Sequence, residues 1–304
     1  MKVLNFGSLN VDYVYKLPHI VEAGETISSE KLALYPGGKG LNQSVALGKA
    51  GVEVYHAGAI GEDGRFLVDF LKNARVHTDF VKVLPEEKSG HAIIQNDAKG
   101  ENCIILFGGA NQAITRGMVD EVLQEFGKDD YLILQNEINE LGYIVERAKE
   151  KGMVIVLNPS PMNEKILKLP LEYVDYFILN EIEAAQILRE TKQDIDLKRQ
   201  GHETARHLLE AFPRAGIILT LGGAGSVYMK DGICYEQSIY QVDVVDTTAA
   251  GDTFTGYFVA GMIQGRPMKE IMDTAARAAA ITVSREGAGV AIPTREEVET
   301  YRFV

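Results

Sequence analysis

The chain has 304 residues, 46% hydrophobic and 24% charged, enough to bury a substantial core in one large α/β domain or two smaller ones. A net charge of −12 argues against general binding to nucleic acid or an anionic membrane, while leaving room for local positive sites on a small phosphorylated ligand. Cys103 and Cys234 stand far apart in no C-x-x-C pattern, which excludes a disulfide framework and a zinc site and fits a reducing cytoplasm. The first residues are too soon interrupted by polar groups for a signal peptide, and no apolar run approaches a membrane span.

Residues 3–6 read as a buried strand ending at Gly7-Ser8, with Asn10 and Asp12 just past its carboxyl end. Residues 12–35 are short extended pieces separated by turns, the pattern of a small sheet standing off a main domain. Gly37-Gly38-Lys39-Gly40 breaks that pattern, and residues 41–50 read as a helix. A strand over 52–59 and a helix over 63–74 follow, then two β pieces, 90–95 and 102–107, joined by a turn-rich connection at 96–100. We assign that hairpin to the same small sheet, an insert built from about 12–36 and 89–107. Thereafter the alternation is regular: helix 115–126, strand 130–135, helix 139–151, strands 153–157 and 174–179, helices 181–190 and 202–212, strand 216–221. An apolar, β-rich segment over 241–245 leads into a helix over 253–264, and helices at about 268–284 and 294–302 close the chain. Repeated β–α units predict an α/β fold, a mostly parallel sheet with helices on both faces. One domain over 1–304 with an inserted lid sheet is the economical organisation.

In open parallel sheets, ligands bind beyond the carboxyl ends of the strands. Asn10, Asp12, Glu137, Asn158, Asn180 and the loop from Thr220 to Gly225 all follow strands in this reading. A single polar residue there is commonly a turn former, but six such places are harder to dismiss. The other conspicuous stretch is Asp246-Thr247-Thr248-Ala249-Ala250-Gly251-Asp252-Thr253-Phe254. Its small residues let backbone amides crowd where a helix begins, and a helix start suits a phosphate or a developing oxyanion. Asp252 at that place can accept a proton from an attacking hydroxyl, or can simply cap the helix. Asn180 and Glu183 stand three apart at another helix start, where they can hold a hydrated Mg²⁺ or form a capping box. Neither G-x-x-x-x-G-K-[ST] nor G-x-G-x-x-G occurs, so a P-loop and the dinucleotide fingerprint are excluded. H-E-x-x-H and G-x-S-x-G are also missing.

Gly37-Gly38-Lys39-Gly40-Leu41-Asn42-Gln43 and the stretch 246–254 together resemble the two signatures of the ribokinase-like (PfkB) carbohydrate kinases. Asn158-Pro159-Ser160-Pro161, Asn180-x-x-Glu183 and Thr220-Leu221-Gly222 fall between them in the family's order, so the resemblance spans the whole chain. It implies a three-layer α/β/α domain with a β-sheet lid, and transfer of the γ-phosphate of ATP to the primary hydroxyl of a sugar. Asn10-x-Asp12, the unbroken glycine motif and Glu137 point to D-ribose, with ribose 5-phosphate as product. Fructose, deoxyribose or a nucleoside are alternative acceptors, and a non-catalytic sugar-binding regulator is the alternative outside enzymes. By position, the resemblance gives Asn10, Asp12, Gly38, Lys39, Asn42 and Glu137 to the sugar, and Asp252 to proton abstraction. The amides of Ala249, Ala250, Gly251 and Asp252 become the anion hole, beside Lys39. Asn180, Thr220, Gly222, Gly225, Gly251 and Ala276 fall to ATP, and Glu183 to Mg²⁺ through water. Asp246, Thr248, Thr282, Arg285 and Gly287 would supply a K⁺ site. Two positions depart from the pattern: Ala291, where the family often has serine, and Ala276, where histidine or asparagine is frequent. The resemblance also implies a homodimer formed through the lid sheet.

Overall fold

The computed structural model describes residues 1–97, 101–189 and 201–303. Three residues of the expected turn at 96–100, and the last of the helix expected over 181–190, lie outside that range. In chain order the strands are β1 (Val3–Phe6), β2 (Asn10–Lys16), β3 (Lys31–Gly37), β4 (Val54–Ile60), β5 (His77–Val83), β6 (Gly90–Asn96) and β7 (Asn102–Phe107). They continue with β8 (Tyr131–Gln135), β9 (Val154–Asn158), β10 (Tyr176–Asn180), β11 (Gly216–Thr220), β12 (Ser226–Lys230) and β13 (Ile233–Gln237). The helices are α1 (Lys39–Lys49), α2 (Arg65–Asn73), α3 (Arg116–Leu123), α4 (Leu141–Glu150), α5 (Glu181–Leu188), α6 (Gly201–Ala211), α7 (Ala250–Ile263), α8 (Met268–Val283) and α9 (Arg295–Thr300).

Nine strands form the large sheet in the order β13-β12-β11-β10-β9-β8-β1-β4-β5. Every pairing from β11 to β5 is parallel, while β12 and β13 extend the edge as antiparallel strands. β1 is buried at all four positions, as a strand must be when helices cover both faces of its sheet. Its alternation divides the core. Leu4 and Phe6 join Leu132, Leu134, Ile155 and Leu157 in a cluster under α3 to α6. Val3 joins Ile133, Val156, Ile178 and Ile218 in a second cluster under α1, α2, α7 and α8. From β1 the chain builds β4 and β5 on one side and later returns to lay β8 on the other. The reversal opens a crevice beyond the carboxyl ends of β1 and β8, the position where open α/β sheets bind ligands.

A separate four-stranded sheet, β3-β2-β6-β7, pairs residues 10–16 with 31–37 and 90–96, and the last with 102–107. This is the small sheet expected from the sequence, with one adjustment: Asn10 and Asp12 lie on its strand β2 and not in a turn after β1. Three strands were not expected. β5 adds the edge beyond β4, and β12 and β13 form a hairpin turning at Asp231 and Gly232, both at positive φ. Asp-Gly in a two-residue turn is a strong hairpin signal, so this pair was readable and was overlooked. Conversely, the strand expected over 241–245 does not form. Val244 is 64% exposed, and the amides of Val245 and Asp246 both donate to Val283 O at the end of α8. Valine-rich segments become strands only where a neighbouring strand supplies the ladder. Finally, α7 begins at Ala250, three residues before the expected start.

Candidate active site

The glycine-rich loop ends β3 and starts α1, and its glycines are required by close approaches. A Cβ on Gly37 would fall 2.0 Å from Asp12 Oδ2, and one on Gly40 would fall 2.4 Å from the Ser8 amide. Gly38 precedes α1 at φ 94°, a left-handed conformation natural only to glycine. With the loop pressed on the β1–β2 corner, Leu41 N donates to Ser8 O and Gly40 N to Ser8 Oγ. Glu137, just beyond β8, receives the Lys39 amide at 2.8 Å and the Ser8 hydroxyl on the same oxygen. Asn111 Nδ2 donates to Asn10 Oδ1 at 2.7 Å, which fixes the Asn10 amide.

The charges at this end are mutually dependent. Burial, reinforced by the field of Glu137, pushes the Asp12 carboxyl up to about 7. Burial also raises Glu137, against the pull of Lys39 and the bonds from Ser8 and the Lys39 amide. Burial alone would lower the Lys39 ammonium, but Asp252, Glu137 and Glu183 together hold it above its ordinary value. A lysine that remains charged therefore stands among three carboxylates.

Asp252 lies in the first turn of α7, 7% exposed. It does not cap the helix. The N-cap is Ala249, at φ 61° and with no side-chain bond, and both Asp252 oxygens face α1. Oδ2 accepts from Asn42 Nδ2 at 3.0 Å and Oδ1 from Gln43 Nε2 at 2.9 Å. The first-turn amides of α7 have no acceptor within their own helix, and that of Ala250 donates to Thr247 O at 3.3 Å. A cleft of about 390 Å³ is lined by all seven of Asn10, Asp12, Gly38, Lys39, Asn42, Glu137 and Asp252, and by residues 247–251.

A second cavity, of about 540 Å³, adjoins the first through Asn180, Thr220, Thr247, Ala250 and Gly251. It also contains Gly222, Gly225 and Ala276, so the residues expected around a nucleotide share one space. Its far wall is apolar, with Phe254, Ala279, Ala280 and Val283. Asn180 and Glu183 do form the capping box. Asn180 Oδ1 accepts the Glu183 amide at 2.9 Å, and Glu183 Oε2 accepts the Asn180 amide at 3.0 Å. Glu183 nevertheless borders the first cleft, where one carboxylate and a phosphorylated ligand make a donor set suited to hydrated Mg²⁺.

The residues expected at a K⁺ site are close together. Asp246 Oδ1 accepts from Thr248 N at 2.8 Å and Oδ2 from Gly287 N at 3.1 Å, while Thr282 O accepts from Arg285 N. Ala291 nearby is buried and offers no oxygen beyond its carbonyl. Carboxylate and carbonyl oxygens suit a hard cation. Among the described residues, no three His, Cys, Asp or Glu side chains group to hold a metal by themselves.

Sequence reasoning missed three contributors. Ser8 carries Glu137 and the glycine loop, though it sits at a strand end two residues from Asn10. Gln43 was visible only as a letter of the glycine motif. Ala92, Ile94, Ile104 and Leu106 of the small sheet line the first cleft, and only their alternation along a hairpin could have suggested it.

The profile of the pfkB family carbohydrate kinases matches residues 1–295, and the chain belongs to that family. Ribokinase of Schizosaccharomyces pombe is 33% identical over 98% of this chain and 97% of its own length. Among solved structures, ribokinase from Cryptococcus neoformans in complex with ADP is 34% identical, with a TM-score of 0.83 and 98% of each chain covered. Arabidopsis thaliana ribokinase complexed with ribose and ATP is 28% identical, also at a TM-score of 0.83, covering 98% of this chain and 97% of its own.

Proposed function

We propose that this chain is an ATP-dependent ribokinase, transferring the γ-phosphate of ATP to the primary hydroxyl of D-ribose. One observation carries the reading. A buried aspartate, a half-buried lysine and the first turn of a helix border a cleft of about 390 Å³ that adjoins a second cavity large enough for a nucleotide. Asn10, Asp12, Gly38, Lys39, Asn42 and Glu137 hold the sugar hydroxyls. Asp252 takes the proton of the primary hydroxyl, whose oxygen bonds to the γ-phosphorus as the bond to the β–γ bridging oxygen breaks and ADP departs. The amides of residues 249–252 and the Lys39 ammonium stabilise charge on the transferring group. ATP occupies the second cavity against Asn180, Thr220, Gly222, Gly225, Gly251 and Ala276.

Glu183 would hold Mg²⁺ through water, and Asp246, Thr248, Thr282, Arg285 and Gly287 would hold K⁺ at the approach to α7. When bound, these ions would supply fixed positive charge to the phosphoryl transfer. The chain is one domain, its small sheet a lid that excludes water from the phosphoryl transfer. A reducing cytoplasm is the proposed setting, a reading that the two free cysteines support. Among the described residues no helix is long and apolar enough to cross a membrane.

The test is an ADP-release screen over ribose, deoxyribose, fructose and adenosine, with and without K⁺. Ribose as the best acceptor, stimulated by K⁺, is the expected result. A different best acceptor reassigns the substrate, and ribose binding without ADP formation leaves a regulator.

A further inference from the structure

Beneath Asp252 runs a row of buried amides whose direction is forced from one end. Both hydrogens of Asn5 Nδ2 are taken, by Gly40 O and by Ser44 Oγ, at 2.8 Å each. A carbonyl only accepts, so Asn5 Oδ1 must face the other way, and there it receives Gln135 Nε2 at 2.9 Å. The second hydrogen of Gln135 Nε2 goes to Gln43 Oε1 at 2.7 Å. Gln43 is therefore left with its own Nε2 pointing at Asp252 Oδ1, 2.9 Å away, and at Asn158 Oδ1, 3.2 Å away. Asn158 is held from its far side in the same sense, since its Nδ2 donates to Ile178 O at 2.8 Å. Asn5 and Gln43 have no solvent exposure and Gln135 has 1%, so water cannot substitute for a lost partner. Turning Asn5 or Gln43 over would set N–H against N–H, and turning Gln135 over would set its oxygen against two carbonyl oxygens.

We propose that Gln43, oriented by Gln135 and Asn5, is a positioning residue for Asp252, its imposed donor aiming the carboxylate at the sugar hydroxyl. The proposal rests on the kinase reading above and deepens it. Asn42 donates to the opposite oxygen, but it lines the sugar cleft and is free to exchange Asp252 for substrate; Gln43 has no such alternative. Lys39 on α1 and Glu137 after β8 act on Asp252 from the cleft side, and Glu183 on α5 and Asp12 on β2 line the same cleft. At the far end of the row Ser44 meets His56, whose pKa burial lowers to about 4, so the amides end on a neutral ring.

The experiment compares Gln43→Leu and Gln135→Met with the parent enzyme, recording kcat, sugar KM and thermal midpoint. Gln43→Leu is expected to lower kcat about 10- to 100-fold with KM little changed, as a misplaced catalytic group does. Gln135→Met, which does not touch Asp252, should lower kcat by less, again at little-changed KM. A purely structural row would lower the thermal midpoint and leave kcat of the folded enzyme where it was, which overturns the proposal. So does a KM that rises while kcat holds in either variant. If Gln43→Leu does not fold, Gln135→Met decides alone. If the parent enzyme phosphorylates no sugar, the kinase reading fails by itself. Crystal structures of the parent and Gln135→Met then decide this one, by whether Asp252 leaves Gln43.

Discussion

Asp252 differs from an ordinary helix-start aspartate in what its oxygens touch: two side-chain amides from another helix, and none of its own helix's amides. Asp252→Asn keeps the shape and removes the proton acceptor, so kcat should fall by about 10²- to 10⁴-fold while equilibrium binding of ribose, measured by calorimetry, persists. Asp12 supports a second prediction. Its carboxyl titrates near 7 when folded against an ordinary 3.8, so between those values the folded protein binds a proton that the unfolded chain does not. That contribution to stability is complete below about pH 4 and is lost as pH rises through 7. Asp12→Asn should therefore stabilise the ligand-free protein at pH 8 by roughly 2 kcal/mol, and by much less at pH 5, in urea titrations. At this scale the site was largely legible, because Asp12, Lys39, Glu137 and Asp252 each announce chemistry by residue type. The amides behind them do not. A glutamine becomes a positioning group only through a partner 209 residues away.

Helices α1 and α7 bring those residues together, and the contact between them is close. A Cβ added at Gly256 would lie 2.4 Å from Ala46 Cβ and 3.1 Å from Gln43 O. Gly256→Val should force the helices apart, destabilising the protein by about 1–3 kcal/mol as overpacked sites do. It should also lower kcat, since Asp252 is one helical turn away on the same element. A thermal melt beside a rate measurement tests both. The helices were recoverable from the sequence because apolar spacing is local, and their ends moved by a few residues because caps depend on partners. The capping box on α5 illustrates the local case, with Asn180 and Glu183 three apart satisfying each other's amides. Residues 241–245 illustrate the other: the same valines would have made a strand beside an open edge, and here Val242 and Val244 line the second cavity.

The small sheet has two apolar faces. Ala92, Ile94, Ile104 and Leu106 border the cleft at Asp252. On the opposite face, cross-strand pairing aligns Leu34 with Tyr13, Ile93 and Ile105, and Leu34 and Ile105 are 52% and 55% exposed. A patch of that kind is expected to be covered, and a second copy of the same sheet is a self-complementary cover. Sedimentation should show a dimer at micromolar concentration, and Leu34→Asp combined with Ile105→Asp should yield monomers; a monomeric parent protein would remove the proposal. Read alone, the sequence determined the α/β alternation, the inserted sheet and the residue types gathered at strand ends, since each is set by neighbours a few positions apart. Only the tertiary structure decided the strand order, the edge strand β5, and the partners of Asp252. Those depend on which distant surfaces meet, and short-range spacing carries no record of that.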